Sequence, residues 1–152
     1  MEKSKTLVLG IGNLLLGDEG IGIHAVEHIQ KNVSIENVDF LDGGTGGFVL
    51  LSLFHDYGTI IIIDATLDSN PVGTIRLLEP KYSTDYPKSL SAHDIGLKDL
   101  VESAILLNES PKIFLIIVTI KDFQDLKIGL SPDVQKAIPE VEKLVIALLS
   151  KN

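Results

Sequence analysis

A chain of 152 residues with 45 % apolar and 22 % charged side chains has the size and composition of one globular domain, able to bury about two-thirds of the surface its unfolded form exposes. Thirteen basic against twenty-one acidic residues leave a net charge of −8, aromatics make up 5 % and Trp is missing, which weighs against phosphate-backbone binding and base stacking. The absence of cysteine excludes disulfides, thiolate zinc sites, iron–sulfur clusters and a thiol nucleophile, so any metal must be held by carboxylate, imidazole or backbone oxygen.

Short aliphatic runs alternate with segments of helical period, the signature of an α/β domain. A strand over Thr6 to Ile11 comes first, then a turn through Gly12 to Gly17 and a helix over Asp18 to Gln30. After Gly10 and Gly12, Leu15 stands where a dinucleotide fingerprint needs its third glycine, and no Gly-Lys-Ser/Thr is present, so neither nucleotide signature is met. What remains is Asp18 and Glu19 at a helix start, where acids either complement the helix dipole or face a ligand. Within that helix, His24-Ala25-Val26-Glu27-His28 matches the His-x-x-Glu-His pattern of inverted zinc peptidases. At about 100° per residue, Gly22, Ala25, Val26 and Ile29 gather on one side, His24 and Glu27 fall nearly opposite, and His28 lies at the margin. The histidine pair is therefore expected to face water rather than a pocket.

The next strand, Val38 to Leu41, runs into Asp42-Gly43-Gly44-Thr45-Gly46-Gly47. Glycines at that density either form a flexible turn or let the backbone approach a ligand closely and offer it amide donors. A helix follows over Phe48 to His55. Thr59 to Ala65 reads as a strand buried on both faces, because Ile60, Ile61, Ile62 and Ile63 are consecutive and β-branched. Asp64 closes the run, at the carboxyl end where open α/β sheets place their ligands. Partial desolvation there favours a counter-charge or a metal, the alternative being an acid that merely forms the turn out of the strand. Val72 to Leu78 is expected as another strand, antiparallel at an edge, and Glu79 to Ala92 as a long polar loop. His93 stands at the junction with a helix reaching about Leu107, and alone says little. Lys112 to Ile120 is the last buried strand. Ser131-Pro132-Asp133 opens a final helical segment as cap followed by proline, and Pro139 is expected to kink it or divide it in two. With no repeat, low-complexity tract or linker, residues 1–152 read as a single domain.

Several of these landmarks, in this order, resemble the hydrogenase maturation endopeptidases of nickel-iron hydrogenases. They are Gly12-Asn13 with Asp18-Glu19, Asp42-Gly43-Gly44-Thr45-x-Gly47, Asp64 after the Ile run, His93 in Ser-x-His-x-x-Gly, and Ile128-Gly129-Leu130-Ser131-Pro132. The resemblance runs from Leu7 to about Leu149 and implies a twisted, mostly parallel five-stranded sheet with helices on both faces. It also implies an acid–acid–imidazole metal-contacting set at Glu19, Asp64 and His93. The stretch Val118 to Phe123 departs from the Val-x-x-Pro-Glu segment of many relatives, lacking both that Pro and that Glu. This bears on the subfamily and the cognate hydrogenase rather than on the three metal-contacting positions.

By the same resemblance the chain is expected to be a single peptidase domain that trims the C-terminal tail of a nickel-iron hydrogenase large-subunit precursor after nickel insertion. Nickel then arrives with the substrate and no organic cofactor is expected. Glu19, Asp64 and His93 would serve as both catalytic and metal-docking residues, Gly43, Gly44, Thr45 and Gly46 as the substrate-binding strip, and Glu79 to Ala92 as a lid or recognition loop. No apolar run approaches the ~20 residues that span a bilayer and Met1 to Lys5 carry no cleavage-type signal, so a cytoplasmic protein without membrane partners is expected. The acidic balance weighs against nucleic acid, and a monomer is expected because no apolar helix face is left over. Three rival readings stand beside this one. They are a small-molecule or nucleotide-binding α/β module using loop 43–47, a self-sufficient zinc peptidase using His24 and His28, and an inactive factor that binds the precursor without cutting it.

Overall fold

The run of isoleucines builds the centre of the sheet. In a computed structural model, which describes residues 5–45, 51–80, 102, 106, 111–121 and 125–151, five strands form one sheet. They are β1 (Thr6–Gly10), β2 (Val38–Asp42), β3 (Thr59–Thr66), β4 (Ile75–Leu78) and β5 (Lys112–Thr119), in the spatial order β2-β1-β3-β5-β4. All neighbours are parallel except β4, which runs antiparallel along β5. In β3 every residue after Thr59 is buried, as expected of a strand covered on both faces.

Alternation along the strands divides the core in two. Val8, Ile61, Ile63, Ala65, Ile116 and Val118 point to one face, where helices α1 (Ile21–Asn32) and the C-terminal pair α3 (Pro132–Gln135) and α4 (Ile138–Ser150) cover them. Leu7, Leu9, Ile60, Ile62, Leu115 and Ile117 point to the other, with Phe54 of α2 (Leu51–Asp56) packed on them. At about 25 cal/mol per Å² of apolar surface removed from water, these aliphatic layers supply the main driving force of the fold.

Most predicted elements appear within a residue or two of their expected bounds. The first helix and the edge strand are exceptions: the helix starts at Ile21, and Gly17–Gly20 is a single 3-10 turn. The edge strand starts at Ile75 rather than Val72, because Pro71 to Thr74 close a turn through the Thr74 N–H to Pro71 carbonyl bond of 3.1 Å. The final segment divides in two, with Pro139 in the first turn of α4, where its missing N–H costs nothing. Residues 46–50, most of the loop after Pro80 and most of the helix predicted from His93 to Leu107 lie outside the described residues, although Glu102 and Leu106 are helical.

Candidate active site

Asp64 is placed by register. β1 ends at Gly10, paired with Ile63, so Asp64 is the first β3 residue beyond the end of its neighbour, while on the other side it still pairs with Ile117 of β5. Its side chain is fully buried, and Oδ1 accepts the Ala65 N–H at 2.8 Å. The chain leaving β1 stays beside it, since Ile11 N–H donates to the Ile63 carbonyl at 3.0 Å.

Glu19 reaches the same edge through close backbone packing. A Cβ on Gly22 would fall far inside van der Waals contact of the Ile63 and Ile11 carbonyls, so only glycine lets the start of α1 seat itself on the ends of β1 and β3. A Cβ on Gly12 would collide in the same way with the Glu19 carbonyl. That carbonyl accepts the Asn13 N–H at 3.2 Å, and Glu19 N–H donates to the Leu16 carbonyl at 3.1 Å. The Glu19 side chain is half-buried, on a 3-10 turn packed against β3. Two acids remote in sequence thus stand on elements packed together at the carboxyl end of β1 and β3, and carboxylate oxygen is a ligand type that suits a divalent cation. His93, the third predicted member, lies outside the described residues, and among the described residues no group of three His, Asp or Glu side chains could hold an ion.

The glycine loop adjoins this edge. Gly12 N–H donates to the Gly44 carbonyl at 2.7 Å, Gly43 N–H to the Gly10 carbonyl at 2.8 Å, and Gly44 N–H to Asp42 Oδ1 at 2.8 Å. The amides of Gly43 and Gly44 are therefore engaged within the chain, and Thr45 is the exposed member of the strip. Gly46 lies outside the described residues.

The His24–His28 motif does not assemble a zinc site. His28 and Glu27 are exposed, as the helical wheel predicts, and His28 Nε2 lies 2.9 Å from Glu142 Oε2 of α4 and 3.2 Å from Asn32 Nδ2. His24 departs from the wheel. It is half-buried, with Nε2 shielded from solvent and without a hydrogen-bond partner, so it sits among packed side chains rather than facing water.

Asp18, read from the sequence only as an acid at a helix start, and Asp68, which sequence reasoning did not bring forward, carry side-chain networks at this edge. Asp18 is buried; Oδ1 accepts the Ser131 N–H and Oδ2 the Ser131 hydroxyl, both at 2.7 Å. Asp68 accepts the Thr119 hydroxyl at 2.7 Å and the Asn70 N–H at 3.1 Å on Oδ1, and pairs with Arg76 through Oδ2 at 3.2 Å. Burial alone would raise the Asp68 pKa, but the bonds from Thr119 and Asn70 and the charge of Arg76 outweigh it and hold the carboxyl below its usual range. The only local signal for Asp68 was an acid placed just beyond a strand.

A mostly parallel α/β sheet with acids gathered at its carboxyl edge defines the class, and comparison with known proteins defines the family. The family model for hydrogenase maturation protease (HycI) matches residues 23–148. The chain is 34 % identical over 148 residues to the hydrogenase 2 maturation protease of Escherichia coli (strain K12), an alignment covering 95 % of this chain and 90 % of that one. Among solved structures, the hydrogenase maturating endopeptidase HybD from E. coli superposes with a TM-score of 0.86 at 34 % identity, over 97 % of this chain and 93 % of that one. The [NiFe] hydrogenase maturation protease HybD from Thermococcus kodakarensis gives 0.78 at 25 % identity, over 95 % and 98 %. The chain belongs to the hydrogenase maturation protease family, and its single five-stranded, mostly parallel sheet with flanking helices is the fold of the HybD structures.

Proposed function

We propose that the protein is the endopeptidase that removes the C-terminal tail of a nickel-iron hydrogenase large-subunit precursor after nickel insertion, with Glu19, Asp64 and His93 docking on the nickel that the precursor carries. Family membership supports a protease of hydrogenase maturation. The observation that supports the site is the backbone packing, through Gly12, Gly22 and the Ile11–Ile63 bond, that seats the turn carrying Glu19 on the ends of β1 and β3, where Asp64 stands. His93 joins them on the strength of its Ser-x-His-x-x-Gly context.

Two carboxylates and an imidazole suit Ni(II) and leave coordination positions for groups of the substrate. The ion supplies Lewis acidity toward the scissile carbonyl or an attacking water. The task of the chain is to hold the metal-bearing segment against the scissile peptide, and one of the two carboxylates also serves as the proton acceptor. Thr45 and Gly46 extend the docking strip beyond the engaged amides of Gly43 and Gly44. The enzyme acts in the cytoplasm as a monomer; among the described residues no helix is long and apolar enough to cross a membrane.

The test uses precursor with and without nickel, and tail release read by mass spectrometry. Wild-type protein is expected to cut only the nickel-loaded form, and Glu19→Gln, Asp64→Asn and His93→Ala to bind precursor but not cut it. Cutting of nickel-free precursor at the full rate would remove the docking role.

A further inference from the structure

The turn that carries Glu19 has little of its own to hold it. It is four residues long, begins and ends in glycine, and has no side-chain cap at Leu16. A single 3-10 turn of this kind is a weak structure by itself. Yet Asp18, the residue beside Glu19, is only 4 % exposed, and its two carboxylate oxygens take the main-chain N–H and the hydroxyl of Ser131. Bonds to a carboxylate are about twice as strong as neutral ones, and more so away from water.

Ser131 shows where that bond is directed. It occupies the N-cap of α3, immediately before Pro132, yet its side chain makes no capping bond. A serine that caps its helix is worth ~1 kcal/mol. Here the hydroxyl proton goes instead to an acid on another loop. The same two loops are joined again by main chain: Gly17 N–H donates to the Lys127 carbonyl and Lys127 N–H to the Leu15 carbonyl, each at 2.9 Å, forming a parallel bridge between Leu16 and Lys127. The turn is thereby fastened twice at its start, by backbone at Gly17 and by side chain at Asp18, to the segment leading into α3.

We infer that Asp18 and Ser131 are positioning residues that fix the Glu19 turn against the end of β3. The Asp18 carboxylate faces Ser131 rather than the substrate, and the pair acts on the reaction only through the geometry of Glu19. This rests on the role proposed above for Glu19, and extends the working unit to the start of α3. Supporting contacts of this kind are worth ~10- to 100-fold in metal affinity or activity.

Two readouts on Ser131→Ala and Asp18→Asn test it. Amide hydrogen exchange at Glu19 and Gly20 is expected to accelerate in Ser131→Ala relative to the interior of α1. Processing of nickel-loaded precursor is expected to lose ~10- to 100-fold in kcat with KM little changed. Asp18→Asn keeps an acceptor for the Ser131 N–H and should restore much of the loss seen in Asp18→Ala. Unchanged exchange in Ser131→Ala overturns the inference, as does faster exchange with wild-type kcat. If the wild-type protein cuts no hydrogenase precursor, the proposed function fails, while the exchange measurement still decides whether the clamp holds the turn.

Discussion

The two ends of the sheet are built differently. At the amino end the main chain closes on itself: Thr6 N–H donates to the Asn37 carbonyl, Gly58 N–H to Lys5, and Lys112 N–H to Gly58, at 2.9 to 3.1 Å. Its side-chain polar contacts lie toward the surface, with Tyr57 hydroxyl donating to Asp39 at 2.7 Å and Lys5 Nζ 3.4 Å from the same carboxylate. At the carboxyl end the loops are crossed by buried side chains. Of the five buried polar residues among those described, four (Asp18, Asp64, Thr66 and Thr119) lie there, and only Thr6 lies at the other end. Burying polar groups opposes folding unless each finds partners. Their concentration at one end therefore marks the end whose geometry is set for a purpose beyond stability, where open α/β sheets hold their ligands.

The contrast is sharpest in function. Asp64→Asn should reduce processing by at least ~100-fold with a small change in Tm, whereas Tyr57→Phe at the amino end should leave processing at the wild-type rate. Comparable losses from both would erase the distinction. A change midway, Ile62→Ala, should cost ~2–5 kcal/mol in denaturant unfolding without favouring either end. Gly22→Ala should cost ~1–3 kcal/mol by overpacking, and depress kcat beyond what the unfolded fraction explains, because the displaced helix start carries Glu19 with it. Loss of stability alone would detach Gly22 from the site.

The smallest effect concerns pH at the amino end. Burial and the bond to Asp39 raise the Tyr57 pKa to about 12, above its ordinary 10.0. A raised pKa means this contribution is complete below pH 10 and is lost as pH climbs through about 12. Asp39 is shifted the other way, chiefly by the Tyr57 bond, which outweighs burial with help from Lys5, so its contribution is present above its ordinary value of 3.8 and fades in acid below it. Alkaline unfolding of Tyr57→Phe should lose the first of these dependences, at a cost of about 1 kcal/mol at neutral pH.

The interior was largely legible in the sequence. Four consecutive isoleucines and the Lys112–Thr119 run have one plausible environment, a strand covered on both faces, and the helix face of Ala25, Val26 and Ile29 follows from its spacing. The carboxyl edge was legible only in part. Asp64 could be placed because it follows the isoleucines directly. Asp18 and Glu19 looked like acids of a first helical turn, and nothing nearby in sequence indicates that Asp18 is bound to Ser131. Ser131 was legible as an N-cap by position, but not that its hydroxyl is directed away from its own helix. Local pattern reads propensity and burial; contacts between distant loops are written only in the tertiary structure.

One modest element has a wider consequence. β4 is four residues long and lies antiparallel along β5, a strand of Ile113, Leu115, Ile116, Ile117 and Val118 that would otherwise present a row of unpaired amides and carbonyls. Such a margin is a template on which further chains can add. With β4 in place, the outward margin is short and carries the exposed Arg76, tethered to Asp68 at 3.2 Å. A strongly apolar strand is thereby sealed from self-propagating growth.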